Sequence, residues 1–115
     1  MSSVMKIVRL LAEYVGDHIE GHKAIIICGV DELGYLVKGE WHGHWDMGAT
    51  YVPFVFRKLS SNSKTQIYYG GYSKNQGDEM TLGILPIQIG EYFTIFDKDG
   101  EWNYQIKSIH SYIGE

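Results

Sequence analysis

Two patterns of apolar positions divide this chain near residue 22. Over Val4–Val15, six apolar residues fall at positions 4, 7, 8, 11, 14 and 15, a spacing typical of one face of a helix. A serine precedes the segment and a glycine follows it, as at many helix ends. The spacing predicts a helix over residues 4–15. A strand is the alternative, although its alternation is imperfect because Leu10 and Leu11 are adjacent.

After residue 22 the chain is rich in β-branched and aromatic residues, in short runs that glycine, asparagine, aspartate and serine interrupt. Such runs are typical of an antiparallel sheet. The Asp31–Gly34 and Asp97–Gly100 segments are each predicted to close a hairpin, because turn-forming residues there separate two runs. The predicted strands cover approximately residues 23–30, 34–42, 50–58, 65–72, 80–89, 91–97 and 102–113.

The last run changes parity. Its apolar residues fall on even positions up to Ile106 and then at Ile109, which predicts a bulge or bend near Lys107 and Ser108. The two patterns together predict one α+β, or all-β, domain over residues 1–115. Its β-dominated architecture is a strongly curved antiparallel sheet or partly closed barrel, with one N-terminal helix packed against it or plugging an end.

The stretch Gly39–Gly48, GEWHGHWDMG, carries the most concentrated chemistry. Successive side chains of a strand point to opposite faces, so Tyr35 and Val37 share one face with Trp41 and Trp45. The opposite face is mostly polar and carries Lys38, Glu40, His42, His44 and Asp46. The favoured interpretation is that the indoles pack in the core while the imidazoles lie on the wet face.

The same geometry allows a metal site. Histidines at positions i and i+2 of a strand lie about 7 Å apart at Cα, so His42 and His44 can converge on one ion. A third and a fourth ligand would come from Asp46, Glu40, His110 or the segment 17–22, and Asp46 is the predicted third ligand. A metal-binding protein or a small metal-dependent enzyme with a divalent metal is therefore the alternative function.

Two families share fragments of this motif. His-x-His-x-Asp resembles the metal motif of metallo-β-lactamase-like hydrolases, but Met47 stands where those enzymes have a histidine. His-x-His on a strand also resembles cupins, whose following glutamate is absent from residues 45–50. Neither resemblance covers more than five residues, so neither implies a role for any residue.

Composition and charge narrow the functional classes. With 44% apolar and 21% charged residues, the chain is typical of a globular protein with one core. A net charge of −4 disfavours nucleic acid as a partner. The single cysteine, Cys28, lies in an apolar run and favours a reducing, cytoplasmic setting. The sequence predicts neither secretion nor membrane insertion, since it has no signal-like segment and no apolar run of about 20 residues.

Aromatic residues are in excess, with nine tyrosines and three tryptophans. Their amphipathic side chains suit ligand pockets and protein interfaces, although filling a small barrel is an equally good explanation. The leading hypothesis is a noncatalytic binding protein without a cofactor, which recognises a protein partner or a small apolar or aromatic ligand. Its predicted binding residues are Trp41, Trp45, Tyr68, Tyr69, Trp102 and Tyr104. A homodimer is predicted because it would hide a sheet edge or face.

Overall fold

A computed structural model describes residues 5–16, 21–48, 50–58, 64–69 and 78–111. In these ranges the chain forms eight β-strands, each antiparallel to the next along the chain. β1 also pairs with β8, so the sheet closes into an up-and-down barrel. The strands are β1 (Lys6–Tyr14), β2 (Lys23–Val30), β3 (Gly39–Asp46), β4 (Tyr51–Lys58), β5 (Thr65–Tyr68), β6 (Asp78–Met80), β7 (Tyr92–Asp97) and β8 (Gly100–Ser111).

The predicted N-terminal helix is wrong, and with it the α+β class, because residues 6–14 form β1 and no described residue is helical. Val8 and Leu10 are buried inside the barrel, whereas Arg9 faces solvent and Leu11 is half-buried on the outside. The adjacent leucines are therefore on opposite faces of one strand. The prediction of a β-dominated barrel agrees with the structure. Within the described ranges no helix is long and apolar enough to cross a membrane.

Both predicted hairpins are present, joining β2 to β3 and β7 to β8. In the first turn, Asp31 Oδ1 accepts hydrogen bonds from the amides of Leu33 (2.9 Å) and Tyr35 (3.0 Å). In the second, Asp97 Oδ1 accepts one from the amide of Asp99 (2.8 Å). Each aspartate thus stabilises its turn by bonding the backbone that follows it.

β3 begins at Gly39, later than predicted. Ahead of it Leu36 is buried and Tyr35 is 41% exposed, so the predicted alternation starting at Tyr35 is wrong. The backbone at Gly39, where β3 begins, has φ +145°, a conformation that other residues rarely adopt. From Gly39 to Asp46 the predicted alternation holds.

The predicted bulge in the last strand is confirmed. Leu11 of β1 pairs with Ser108, whereas the next residue, Ala12, pairs with Ile106, so Lys107 is an extra residue on β8. This insertion lets both Ile106 and Ile109 pack against the core. The inward face of the long strand β8 is therefore apolar both before and after the bulge.

The connection 81–91, between β6 and β7, covers one end of the barrel, which we call the capped end. Leu82 and Ile87 of this connection are buried. The Thr65 hydroxyl donates a hydrogen bond to the Leu82 carbonyl (3.0 Å), and the Ile87 amide donates one to the Gly34 carbonyl (2.7 Å). These bonds tie the connection to β5 and to the β2–β3 turn.

The interior is filled by apolar side chains from the strands, including Leu10, Ile26, Phe56, Ile67, Met80 and Ile106, all fully buried. Because side chains of a strand alternate, each contributes its inward set to this core. Cys28 belongs to the same core and has no exposed surface.

We expect Cys28 to be unreactive in the folded protein. Burial raises the pKa of its thiol to about 12, so the reactive thiolate is scarce at neutral pH. A thiol reagent in solution also cannot reach the buried sulfur. Ellman's reagent should modify one thiol per chain only after unfolding in guanidinium chloride, with Cys28→Ala as the blank. Complete modification of the native protein within minutes would contradict this placement.

Candidate functional site

A cavity of about 290 Å³ lies at the other end of the barrel, which we call the aromatic end. Here β1, β3, β5 and β7 end and β2, β4, β6 and β8 begin. Its walls come from strands on opposite sides of the barrel and from adjoining loops. The lining residues are His22, Trp45, Met47, Val52, Tyr69, Ile95, Asp97, Trp102 and Tyr104.

Trp45 is a buried aromatic side chain of this site. It is 5% exposed, and its ring centroid lies 4.5 Å from that of Phe54 and 5.5 Å from that of Tyr104. A Cβ at Gly43 would clash with the Ile25 carbonyl oxygen of β2 and would lie only 3.0 Å from Phe54 Cζ. The glycine of the HGHW motif therefore lets β3 approach the β2 backbone and leaves room for the Phe54 ring.

Further rings support the cavity from behind. Tyr14 contacts Tyr104 edge to face at a centroid distance of 5.7 Å and lies 5.8 Å from Trp102. Phe93 stacks on Tyr104 at 5.8 Å with an interplanar angle of 17°. Such pairs add stability beyond the area they bury, so the lining rings are held in defined orientations.

Hydrogen bonds connect the aromatic residues to two carboxylates. Trp45 Nε1 donates to the Tyr69 hydroxyl (3.0 Å), which in turn hydrogen-bonds Asp78. Trp102 Nε1 donates to Asp97 Oδ1 (3.1 Å). Both indole donors of the cavity lining are thus engaged within the protein, and the bonds end on carboxylates.

The titratable groups respond to this environment. Burial raises the pKa of Tyr104 to about 12, and burial and the bond to Asp78 raise that of Tyr69 further still. Both hydroxyls are therefore protonated at neutral pH. Burial also raises the pKa of Asp78, and the nearby Asp97 carboxylate raises it further. The hydrogen bond from the Tyr69 hydroxyl and the charge of Lys98 act in the opposite direction and lower this pKa.

The structure brings four of the predicted binding residues together in the cavity lining, namely Trp45, Tyr69, Trp102 and Tyr104. Trp41 lies toward the capped end, about 13 Å along β3 from Trp45, and its Nε1 donates to the Val37 carbonyl (2.9 Å). Tyr68 points outward, with the Arg57 guanidinium 5.8 Å from its ring centroid. That these residues bind a ligand stays a prediction.

Sequence reasoning did not select the other lining residues. Val52 and Ile95 pair across strands with Trp45 and Trp102, so they share the inward parity of those indoles. The sequence signal that could have identified them is their inward-facing position near the strand ends that also carry Trp45 and Trp102. Met47 and Asp97 lie at the ends of strands, where only the strand order and register show which side chains meet.

The predicted metal ligands lie on the outside of the barrel. His42 is exposed, and half-buried His44 contacts Tyr51 edge to face at a centroid distance of 5.5 Å. Asp46 Oδ1 accepts a hydrogen bond from the Gly48 amide (3.0 Å), which occupies part of its carboxylate in a turn. Within the described ranges, no three His, Cys, Asp or Glu side chains are grouped so that they could hold a metal ion.

His110, a further proposed ligand, is not brought to this pair. His110 pairs with Arg9 on β1, which places it three strands from His42, about 14 Å along the sheet. Positions 17–20, including His18, lie outside the described residues. A metal on His42 and His44 stays a prediction.

A bound metal on this pair has a measurable consequence. A tight site stabilises the folded state by mass action, so chelation should lower the melting temperature of untagged protein by several degrees. The double variant His42→Ala/His44→Ala should lose this response, and His110→Ala should keep it. Substoichiometric metal by elemental analysis, with a melting temperature that chelation leaves unchanged, would exclude the site.

The outer face of β1–β4 bears on the predicted homodimer, which two features motivate: an unpaired sheet edge and an apolar face. The structure has no unpaired edge between β1 and β8, because these two strands pair. It does have apolar residues on the outer face: Ile25 and Ile27 of β2 point outward and are half-buried, and Val55 and Tyr51 on β4 are exposed. The homodimer stays a prediction.

A scan against protein-family models and searches of curated proteins and of solved structures find no match to this chain.

Proposed function

We propose that this chain is a noncatalytic binding protein that holds a small, partly apolar or aromatic molecule in the cavity at the aromatic end. The supporting observation is the convergence of Trp45, Tyr69, Trp102 and Tyr104, from separate parts of the barrel, on one cavity. Indole and phenol rings provide large apolar contact area, and concave apolar sites with a few polar groups are typical ligand sites.

The size of the cavity restricts the ligand. An apolar cavity of about 150 Å³ is large enough for benzene, and small-molecule sites typically begin near 300 Å³. A volume of about 290 Å³ therefore suits one substituted ring or an aliphatic molecule of similar size. Eight-stranded barrels in general have room either for side chains alone or for one small ligand.

The lining is organised before any ligand enters. Trp45 is held by Tyr69 and by ring packing, and Trp102 is held by Asp97. Binding therefore immobilises few additional side-chain rotamers, which lowers its entropic cost.

The tyrosine hydroxyls favour binding over chemistry. Burial raises the pKa of both Tyr69 and Tyr104, so neither hydroxyl is a base or nucleophile at neutral pH. Their contribution to the site is shape, apolar surface and hydrogen bonding.

The three indole N–H resonances test the location of binding. Titration with benzyl alcohol, followed by nitrogen–proton correlation spectra, should shift the Trp45 and Trp102 indole signals, since both rings line the cavity. Trp41 lies outside the lining and serves as the internal control. Equal shifts of all three signals, or shifts of none, would refute the proposed site.

The adjacent tyrosines 68 and 69 give a matched pair of variants. Tyr69→Ala should weaken benzyl alcohol binding by about tenfold or more, because it removes a lining ring and the partner of Trp45. Tyr68→Ala should leave affinity nearly unchanged, since that ring faces outward. Thermal denaturation of both variants checks that they remain folded, and equal losses of affinity would contradict the assignment.

A further inference from the structure

The cavity lies beside two inward-facing carboxylates. Asp97 is part of the lining and follows Ile95 by two residues on β7, so it shares the inward parity of that buried side chain. Asp78 pairs across strands with buried Ile67 and hydrogen-bonds the lining residue Tyr69. Two carboxyl groups therefore lie on one side of the site, Asp97 in its lining and Asp78 bonded to the lining residue Tyr69.

Three of the donors that could recognise an anion or a carbonyl are engaged. Trp45 Nε1 donates to Tyr69, Tyr69 donates to Asp78, and Trp102 Nε1 donates to Asp97. Besides the Tyr104 hydroxyl and the His22 ring, the lining offers aromatic faces and the Asp97 carboxylate. The face of an aromatic ring carries partial negative charge, so rings and carboxylates attract the same kind of group.

Positive charge near the carboxylates is limited among the described residues. Lys98, which acts on Asp78, is exposed in the β7–β8 turn. Lys64 lies 3.8 Å from Glu79 and 4.4 Å from the centroid of the Phe96 ring, so it is occupied elsewhere. Among the described residues of the cavity lining, His22 is the one basic side chain.

We propose that the ligand of this cavity is an organic cation, an ammonium group carried on an apolar or aromatic body. The ammonium group is recognised by the Asp97 and Asp78 carboxylates, and the apolar body lies against the Trp45 and Tyr104 rings. The inference rests on the proposed function, because it names the chemical class of the ligand that the cavity holds.

Three monosubstituted benzenes of similar size test the charge preference on the full chain. Benzylamine, protonated at neutral pH, should bind about tenfold more tightly than neutral benzyl alcohol, and benzoate should bind most weakly. Dissociation constants come from the shifts of the Trp45 and Trp102 indole signals. If benzyl alcohol or benzoate binds as tightly as benzylamine, the cation assignment is overturned while the proposed function stands. If no probe shifts these signals, the proposed function itself fails.

Charge-neutralising variants locate the preference. Asp97→Asn and Asp78→Asn keep a side-chain oxygen that can accept the bonds from Trp102 and Tyr69 but remove the negative charge. Each should reduce the preference for benzylamine over benzyl alcohol several-fold, and an unchanged preference in both variants would overturn the assignment. Having two variants keeps the test valid if one of them fails to fold.

Glu79→Gln is the matched control, because Glu79 neighbours Asp78 on β6 but has the opposite, outward parity. The substitution removes the same charge from the same strand. A loss of preference as large as that of Asp78→Asn would show a diffuse effect of net charge, and would overturn the assignment of Asp78 and Asp97 as the recognising groups.

Discussion

The pairing of β1 with β8 is the interaction on which the rest of the structure depends. Eight strands joined only to their neighbours in sequence would form an open sheet with two unpaired edges. The β1–β8 ladder, which runs from the Val8 and Ser111 pair to the Tyr14 and Tyr104 pair, joins these edges. Every strand then has one face toward the barrel interior and one face toward the outside. The ladder also brings Tyr14 against Tyr104, so the same pairing that closes the barrel assembles one wall of the aromatic cluster.

This dependence on pairing explains which elements the sequence predicts. β2 begins and ends as expected, and the parity break after Ile106 locates the bulge, because both signals lie within one strand. The first segment is different. Apolar residues occur on both of its faces, with Leu10 inside and Leu11 half-buried outside, and this spacing also fits a helix. Only its pairing with β2 and β8 decides between the two, and β8 is distant in sequence.

The candidate site is predictable to a similar extent. Aromatic abundance indicates that rings line a site, and alternation along β3 separates the indoles from the imidazoles. Alternation alone does not show that Trp45 contacts Tyr104 and shares a cavity with Trp102, since that depends on strand order and register. Nor does it show that Trp41 lies near the capped end. Asp97 illustrates the limit: it reads as a turn residue, and its turn bond to Asp99 is real, yet the same oxygen accepts the Trp102 indole.

The two carboxylates connect the fold to the proposed ligand through one electrostatic relation. Burial and the neighbouring Asp97 raise the pKa of Asp78, so the folded state holds that proton more tightly than the unfolded chain. The barrel therefore loses stability as pH rises from the ordinary range of an aspartate to the raised one, where this carboxylate ionises in the fold. A packed core does not require that arrangement, since an uncharged side chain at position 78 would avoid the repulsion. With a cation placed between the carboxylates, the electrostatic effect of their ionisation becomes favourable, because each ionised group attracts the ligand. Binding then stabilises the folded state by mass action. The Asp78 carboxylate, whose ionisation destabilises the fold, is thus one of the groups that would favour the ligand-bound form.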